Sequence, residues 1–199
     1  MKAGHSVYRS ESMDKQHSKE EIVIVLDFLQ NGYSFDERPM YMKTPIAQAI
    51  GKLHFVLLEL VPKKEIHLQP YKEVYIGEGK RDEIHHIVGK LPLTRLTATA
   101  KSELEFVIKD LVKQQEARFV EFFNKSLPLS TRMHQLELLP GLGKKHMWQI
   151  VESRDDKPFE TFADIKKRVH LMPDPEKLIV KRILNELEGK EKHNIFVGA

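Results

Sequence analysis

Hydrophobic and polar residues follow one pattern in the front of the chain and another in the back. Between residues 22 and 91, short apolar runs such as IVIVLDFL alternate with polar loops that contain glycine, asparagine and proline. Such runs predict β-strands, and we expect four, at 22–29, 52–62, within 67–79 and at 82–91. Residues 44–50 are predicted to form a short helix between the first two strands. Several short strands joined by polar loops indicate a small β-barrel.

The pattern becomes helical after Pro92. Apolar residues recur there at spacings of three and four, which predicts one long helix or two consecutive ones, ending near Pro128. We interpret this stripe as a surface that packs against the barrel. Its members are Leu104, Val107, Ile108, Leu111, Val112, Phe119, Phe122 and Phe123.

Four short helices are predicted after residue 130, which together indicate a compact all-α domain. The second should end before Arg154. Residues 161–164 (TFAD) resemble a capping box at the start of the third helix. Asp174 and Pro175 are typical of the start of the fourth helix, and Gly189 of its end. The apolar faces are Met133, Leu136 and Leu139; Met147, Ile150 and Val151; Phe162, Ile165 and Val169; and Ile179, Ile183 and Leu187.

The composition of the chain says little about its fold but excludes several kinds of chemistry. The chain has 199 residues and no cysteine, which excludes disulfides, cysteine-ligated metals and a thiol nucleophile and suits a reducing cytoplasm. Lys and Arg (32) nearly balance Asp and Glu (29), so a nucleic-acid site would have to be local. No apolar run approaches the roughly 18 residues of a membrane span. Residues 1–19 are polar, lack the apolar region of a secretory signal and are predicted to be a mobile leader.

An interruption of the apolar pattern at residues 140–145 carries the strongest functional signal. Pro140 cannot continue a helix, and Gly141 and Gly143 permit positive φ or close approach of another backbone. Leu142 is apolar and is expected to point inward as the anchor of the turn. A plain turn between two packed helices is the alternative interpretation.

The start of the next helix would make this turn a phosphate site. Free N–H groups and the positive end of the helix dipole attract anions, and Lys144 and Lys145 add charge at the same edge. A phosphate would be held mainly by backbone, without any base being recognised.

The longer pattern resembles the helix-hairpin-helix motif of DNA- and RNA-binding proteins. It combines Leu136 and Leu139, the turn at 140–145 and Ile150. In that family the hairpin amides bind backbone phosphate without sequence preference. Met147 departs from the family, which usually has a small residue there, and Trp148 is expected to be a core or interface anchor.

KPFETFADIKKRV (157–169) resembles the segment that follows the first hairpin in tandem helix-hairpin-helix domains. The second hairpin would be residues 170–175. It has two prolines and no glycine, and Asp174 and Glu176 stand where lysines would favour phosphate. We therefore expect this hairpin to complete the fold rather than bind a backbone.

Residues 20–196 as a whole resemble a mainly archaeal family, domain of unknown function 655, most distinctly at RMHQLELLPGLGKKHMW and KPFETFADIKKRV. Members resemble predicted nucleic-acid-binding proteins. The resemblance implies an α+β fold with a small OB-like β-barrel (20–95), a long connecting helix (96–128), an all-α tandem helix-hairpin-helix domain (129–189) and a tail (190–199). It implies a partner class but no reaction.

An OB-like barrel binds single strands through exposed aromatic side chains and a basic groove. Tyr33 and Tyr41 are the preferred stacking candidates because they lie in a polar loop, although packing over the barrel is the alternative for every aromatic. Phe35, Tyr71 and Tyr75 are further candidates for stacking, and Lys72, Lys80 and Arg81 for contact with the backbone.

Signals for other chemistry are weak. Gly77 to Lys80 resembles a fragment of a phosphate loop but lacks its spacer and Ser/Thr, so we interpret it as a turn. His85 and His86 would point to opposite faces of a strand and could not share a metal. No cofactor or metal is predicted. Asp164 lies after the hairpin, as a catalytic aspartate does in DNA glycosylases, but in a helix start typical of capping.

The sequence therefore predicts a non-catalytic nucleic-acid-binding protein of the cytoplasm. Its partners would be RNA or DNA backbone and translation or RNA-processing proteins, with no membrane. The family resemblance favours RNA over DNA. A protein–protein interaction scaffold, with a partner surface at Phe119, Phe122 and Phe123, is the alternative, and a lesion-processing enzyme is the third.

Overall fold

A computed structural model describes residues 19–198, which form a mixed α+β fold. Residues 1–18 of the predicted leader lie outside the described residues. The strands are β1 (Ile22–Leu29), β2 (Ile46–Gly51), β3 (Leu57–Pro62), β4 (Glu73–Tyr75), β5 (Ile84–Lys90), β6 (Pro128–Ser130) and β7 (Met133–His134). The helices are α1 (Ala98–Gln114), α2 (Glu116–Lys125), α3 (Lys144–Asp156), α4 (Phe162–Arg168) and α5 (Pro175–Leu187). Short 3-10 turns occupy Met40–Met42, Leu93–Arg95 and Gln135–Leu138.

Strands β1 to β5 form one curled antiparallel sheet with the order β4-β1-β2-β3-β5. β1 and β3 each pair antiparallel with β2, and β4 and β5 pair antiparallel with β1 and β3. β4 and β5 are therefore the edges of this sheet and run in the same direction. The predicted barrel is a half-barrel, open between these two edges.

The predicted helix at 44–50 is wrong, because these residues form the central strand β2. β2 pairs with β1 on one side and β3 on the other. Ala47 and Ala49 are buried in the concave side of the curl, while Ile50 joins the core on the opposite side. The local helix preference of the two alanines is overridden, since pairing and burial on both faces decide strand formation.

Two apolar cores cover the two faces of the sheet. The smaller one fills the curl and includes Val25, Leu60 and Val74. The larger one runs from the convex face through all five α-helices of the described region to Phe196. The predicted connecting helix is two consecutive helices, α1 and α2, and their apolar stripe is buried as expected. The sheet and the helices thus share a continuous core.

The predicted helix through Met133 and Leu139 is also wrong. Met133 lies in β7 and is 48% exposed, and a four-residue 3-10 turn follows it. His134 closes this turn, because its Nδ1 accepts the N–H of Leu136 at 3.1 Å while Glu137 accepts the N–H of His134 at 2.9 Å. A capping box this close to Pro140 leaves no room for an α-helix.

The remaining helices begin where the sequence predicted. Thr161 caps α4 by accepting the N–H of Asp164 at 3.0 Å, and Asp174 caps α5 by accepting the N–H of Lys177 at 3.3 Å. Gly189 follows α5 with a positive φ of 68°. α3 extends through Asp156, past its expected end before Arg154, so only its length was misjudged.

A buried ion pair on α5 fixes the C-terminal segment. The Glu186 carboxylate accepts the backbone N–H groups of residues 195–197 at 2.8–3.0 Å and the Nε of Arg182 at 2.7 Å. Arg182 donates in turn to the carbonyls of Leu138, at 2.8 Å, and His193, at 2.6 Å. This cluster, the Glu186 clasp, joins the tail to the turn that precedes Pro140.

Candidate functional site

Leu142 anchors the turn at residues 140–145. It is 4% exposed beside the buried Leu139, and its N–H donates to the Leu139 carbonyl at 3.1 Å. Gly141 has a φ of +91°, a left-handed conformation that disfavours any side chain. The inward position of Leu142 was predicted. The buried Leu142 side chain consequently holds the turn against the core, while Gly141 and Gly143 face solvent.

Helix α3 starts at Lys144 without a side-chain cap, because its N-cap residue is Gly143. The first N–H groups of a helix have no partner within the helix. A Cβ placed at Gly143 would meet no atom within 4 Å, so the space before these groups is open. Lys144 and Lys145 are exposed and form no ion pair with any residue of 19–198. The geometry suits an anion at this helix end.

Trp148 is 65% exposed, so it is not a core residue, and its expected role as an interface anchor stays a prediction. The reason is helical geometry: Met147 and Ile150 form the buried face of α3, and Trp148 is rotated away from both. It lies four residues after Lys144 and therefore on the same side of the helix. The sequence contains one tryptophan. Its ring is thus a natural optical probe of this surface.

The second hairpin, at residues 170–175, has a structural role in the described fold. Met172 is buried at 7%, whereas Leu171 adopts a φ of 54° and is 75% exposed. Asp174 is occupied as the cap of α5. His146 Nε2 lies 3.1 Å from the Leu171 carbonyl, which places this loop against the first turn of α3. The two turns are neighbours. The turn at 140–145 has glycines and lysines that favour an anion, whereas the turn at 170–175 has prolines and an aspartate that do not.

Tyr33 is buried, contrary to its selection as an exposed stacking residue. Its side chain is held because the hydroxyl donates to Glu59 at 2.5 Å and accepts from Gln48 Nε2 at 3.1 Å. Burial and then the bond to Glu59 raise the pKa of Tyr33 above its ordinary 10.0. Phe35 stacks on this ring and is 70% exposed, and Tyr41 is 85% exposed. Phe35 therefore offers the surface that was predicted for Tyr33.

The three predicted cations of the half-barrel differ in whether their side chains are already bound to another group of the protein. Lys72 pairs with Glu83, and the Nε of Arg81 donates to the Gly77 carbonyl at 2.9 Å. Lys80 is exposed and forms no ion pair within the described residues. These cations lie near the open edges of the sheet, on other loops than Tyr41 and the turn at 140–145. Among the described residues, no hydrogen bond, ion pair or ring contact joins these three cations to Tyr41 or to the turn.

The turn at Gly77 to Lys80 is closed by a tyrosine. The Tyr75 hydroxyl accepts the N–H of Gly79 at 3.1 Å, and a Cβ at Gly77 would lie 2.4 Å from the same oxygen. The glycines therefore make room for the Tyr75 ring, which supports the interpretation of this segment as a turn.

The two histidines of β5 contact each other, so the expectation that they point apart is wrong. Their Nδ1 atoms are 2.8 Å apart. The pairing of β5 with β3 skips His85, and such a bulge turns successive side chains towards the same face. Within residues 19–198, no cluster of three or more potential metal ligands is present.

The residues that the two alternative functions would need, Asp164 for a lesion-processing enzyme and the three phenylalanines of α2 for a scaffold, have structural partners within the fold. Asp164 Oδ2 accepts from the N–H of Glu160 and from Arg168, each at 3.2 Å. Phe119 and Phe123 are fully buried, and Phe122 packs against Phe196 with ring centroids 5.2 Å apart. The Phe-rich helix consequently does not provide the partner surface that the scaffold hypothesis expected.

His134 should make the turn before Pro140 sensitive to acid. Burial first, and then the nearby Arg154, lower the pKa of His134 below its ordinary 6.5. Protonation would place a hydrogen on Nδ1, the atom that accepts the N–H of Leu136. A lowered folded-state pKa means that the unfolded chain binds the proton better, so stability is lost as pH falls below 6.5 towards the folded-state pKa.

We expect His134→Asn to remove this part of the pH dependence. Asparagine can still cap the turn through its oxygen but does not titrate. Urea unfolding of the parent and the variant between pH 5 and 8 measures the effect. The difference in stability between the two proteins should shift in favour of the variant as pH falls; a constant difference would contradict the role of His134.

Fold and site together define a mixed α+β protein in which a curled antiparallel sheet packs against helices and a glycine turn precedes a helix without a side-chain cap. The chain belongs to the family described as protein of unknown function DUF655, whose model matches residues 19–198. None of the helices in this range is long and apolar enough to cross a membrane.

Two archaeal proteins show the similarity over most of the chain. An uncharacterized protein of Methanocaldococcus jannaschii is 43% identical over 186 residues, covering 92% of this chain and 82% of that protein. The crystal structure of Af1531 from Archaeoglobus fulgidus, described with the same family, is 45% identical with a TM-score of 0.81. That similarity covers 89% of this chain and 99% of the solved one.

Proposed function

We propose that this protein is a non-catalytic nucleic-acid-binding protein that contacts backbone phosphate through the turn at residues 140–145. The observation that carries the proposal is the start of α3: a thirteen-residue helix with a glycine N-cap, open space before its first N–H groups and two adjacent unpaired lysines in the described fold. A phosphate at this end would accept the free N–H groups and face the positive end of the dipole.

Little sequence preference follows from the same geometry. Backbone amides and lysines reach phosphate oxygens, which are the same in every nucleotide, and contacts of this kind position a protein without specifying bases. Trp148, exposed one turn beyond Lys144, adds an aromatic surface beside the phosphate. We infer modest affinity that depends strongly on salt.

Assigning the two parts of the fold to known nucleic-acid-binding motifs supports the same proposal. We assign residues 135–156 to a helix-hairpin-helix motif whose first helix is shortened to the 3-10 turn, and the half-barrel to an open OB-like sheet. Both rest on the sequence resemblance and on the positions of the turn and of α3. The resemblance also favours RNA over DNA and partners from translation or RNA processing, and the absence of cysteine suits a cytoplasmic localisation.

Gly143→Asp tests the proposal without disturbing the helix. Aspartate is a favourable N-cap, so its carboxylate would occupy the free N–H groups and repel phosphate while stabilising α3. We expect affinity for single-stranded RNA to fall at least about tenfold, the loss of roughly one charge-assisted hydrogen bond. Gly141→Asp combined with Gly143→Asp should lower it further, in part because a side chain at a φ of +91° strains the turn. Fluorescence anisotropy of a labelled oligonucleotide measures binding, and Trp148 emission reports the contact independently.

Lys101→Glu is the matched control, because Lys101 is an exposed lysine on α1, away from the turn. It should bind almost as the parent does. Replacing both Lys144 and Lys145 by glutamine should reduce the salt slope by about 1.4 for single strands. Equal affinities of Gly143→Asp and the parent for RNA and single-stranded DNA, with both proteins folded, would refute the proposed site.

An interaction scaffold is the second candidate, and one observation favours it. Leu127, Leu129 and Met133 are 64%, 51% and 48% exposed around the β6–β7 hairpin. A defined partner protein that remains bound after nuclease treatment, and is lost when these side chains become polar, would support this candidate.

A further inference from the structure

A cavity lies between the β1–β2 loop and the turn at Leu93–Arg95. Its volume is about 720 Å³, within the range of small-molecule sites. The residues that matter for its chemistry are Asn31, Tyr33, Phe35, Lys43, Arg95 and Thr97. No acidic side chain is among the described residues that line it. The cavity therefore combines aromatic surface, hydrogen-bonding groups and positive charge.

The aromatic wall is held in place before any ligand arrives. Phe35 stacks on Tyr33 with ring centroids 4.8 Å apart and an interplanar angle of 13°. Tyr33 is itself fixed by Glu59 and Gln48. Because Tyr33 covers one face of the Phe35 ring, which is still 70% exposed, the other face is open. A planar ligand can stack there without reordering the loop.

Two cations complete the site. The Arg95 guanidinium lies 5.6 Å from the centroid of the Tyr33 ring and 3.5 Å from Glu59, and its side chain is 52% exposed. Lys43 lines the same cavity and forms no ion pair within residues 19–198. Glu59 is buried and pairs with Arg95, so Lys43 is the cation of this rim that has no acidic partner within the described residues.

We propose that this cavity takes one unpaired nucleotide of a single-stranded nucleic acid, with the base stacked on Phe35 and its phosphate near Lys43 and Arg95. An aromatic anion fits these surfaces, whereas a neutral apolar peptide would leave Lys43 without an acidic partner in the described fold. Bases paired inside a duplex cannot reach an aromatic face of this kind. The inference rests on the proposed function and extends it, because the turn at 140–145 contacts phosphate alone.

Phe35→Ala tests the stacking, with Phe106→Ala as the matched control. Phe106 is an exposed phenylalanine on α1, with 58% of its surface accessible, and does not line the cavity. Anisotropy titrations would use a single-stranded RNA of about 12 nucleotides, its abasic counterpart and the corresponding duplex. We expect Phe35→Ala to weaken binding of the single strand roughly 5- to 150-fold, the loss of one base stack.

Binding of the abasic strand and of the duplex, together with further substitutions, distinguishes base stacking on Phe35 from phosphate binding at residues 140–145. Phe35→Ala should bind the abasic strand and the duplex as the parent does, whereas Gly143→Asp should weaken all three. Phe35→Trp should retain single-strand affinity and Phe35→Leu should lose it, because stacking needs an aromatic ring. Unchanged single-strand affinity of Phe35→Ala overturns the inference, as does Phe35-dependent binding of a free mononucleotide without any effect on the strand.

Discussion

Replacing Glu186 by glutamine is expected to lower the free energy of unfolding by about 3–5 kcal/mol, the cost of breaking a buried ion pair. The carboxylate accepts three consecutive backbone N–H groups of residues 195–197 and the Nε of Arg182. Glutamine has nearly the same shape but turns one acceptor into an NH₂ donor. Arg182, which is 2% exposed, would then keep only Glu191 as a charged partner among residues 19–198.

Glu188→Gln is the matched control, since Glu188 lies two residues away, is exposed and pairs only with the exposed Lys190 among the described residues. Its effect should stay within about 0.5 kcal/mol. Urea unfolding followed by circular dichroism measures both variants. Equal unfolding midpoints for the two variants would contradict the role of the Glu186 clasp. Hydrogen exchange should also show earlier loss of protection at residues 195–197 in Glu186→Gln.

The clasp also explains how the tail influences the candidate site. Arg182 donates to the carbonyl of Leu138, two residues before Pro140. Phe196, whose N–H binds Glu186, packs against Phe119 of α2 with ring centroids 5.4 Å apart. The residues just before the turn at 140–145 are therefore held directly by Arg182 of α5, and the C-terminal segment is linked to them through the Arg182–Glu186 pair.

Features with local causes were predictable from the sequence. Thr161 and Asp174 were recognised as caps because a capping side chain and the N–H groups that it binds lie within three residues. The same is true of the turn at 140–145, where proline and glycine restrict the backbone directly. β1 was predicted from a β-branched run, and half of its residues are buried. In each case the pattern and the cause occupy the same short segment.

Features decided by distant contacts were not predictable. β2 is a strand because β1 and β3 flank it, although its alanines favour a helix. Tyr33 lies in a polar loop but is drawn inward by Glu59 and Gln48. Nothing near Glu186 in the sequence indicates that it binds the N–H groups of residues 195–197. One signal was present for Trp148, since a helix with Met147 and Ile150 buried places position 148 outside.

Leu142→Ala is expected to destabilise the protein by about 2–5 kcal/mol, as truncation of a buried leucine usually does. Leu142 is 4% exposed, and its burial holds the glycine turn against the core. Leu171 occupies the tip of the neighbouring turn and is 75% exposed, so Leu171→Ala should change stability by less than about 0.5 kcal/mol. Thermal unfolding compares the two directly.

The same pair also separates the roles of the two turns in binding. At a temperature where Leu142→Ala remains folded, its turn should be less ordered, and the N–H groups of α3 should bind phosphate less well because their geometry is no longer fixed in advance. Leu171→Ala should bind single-stranded RNA as the parent does, since the second turn has proline and aspartate where a phosphate would need donors. A larger loss of affinity in Leu171→Ala than in Leu142→Ala would assign phosphate binding to residues 170–175 instead.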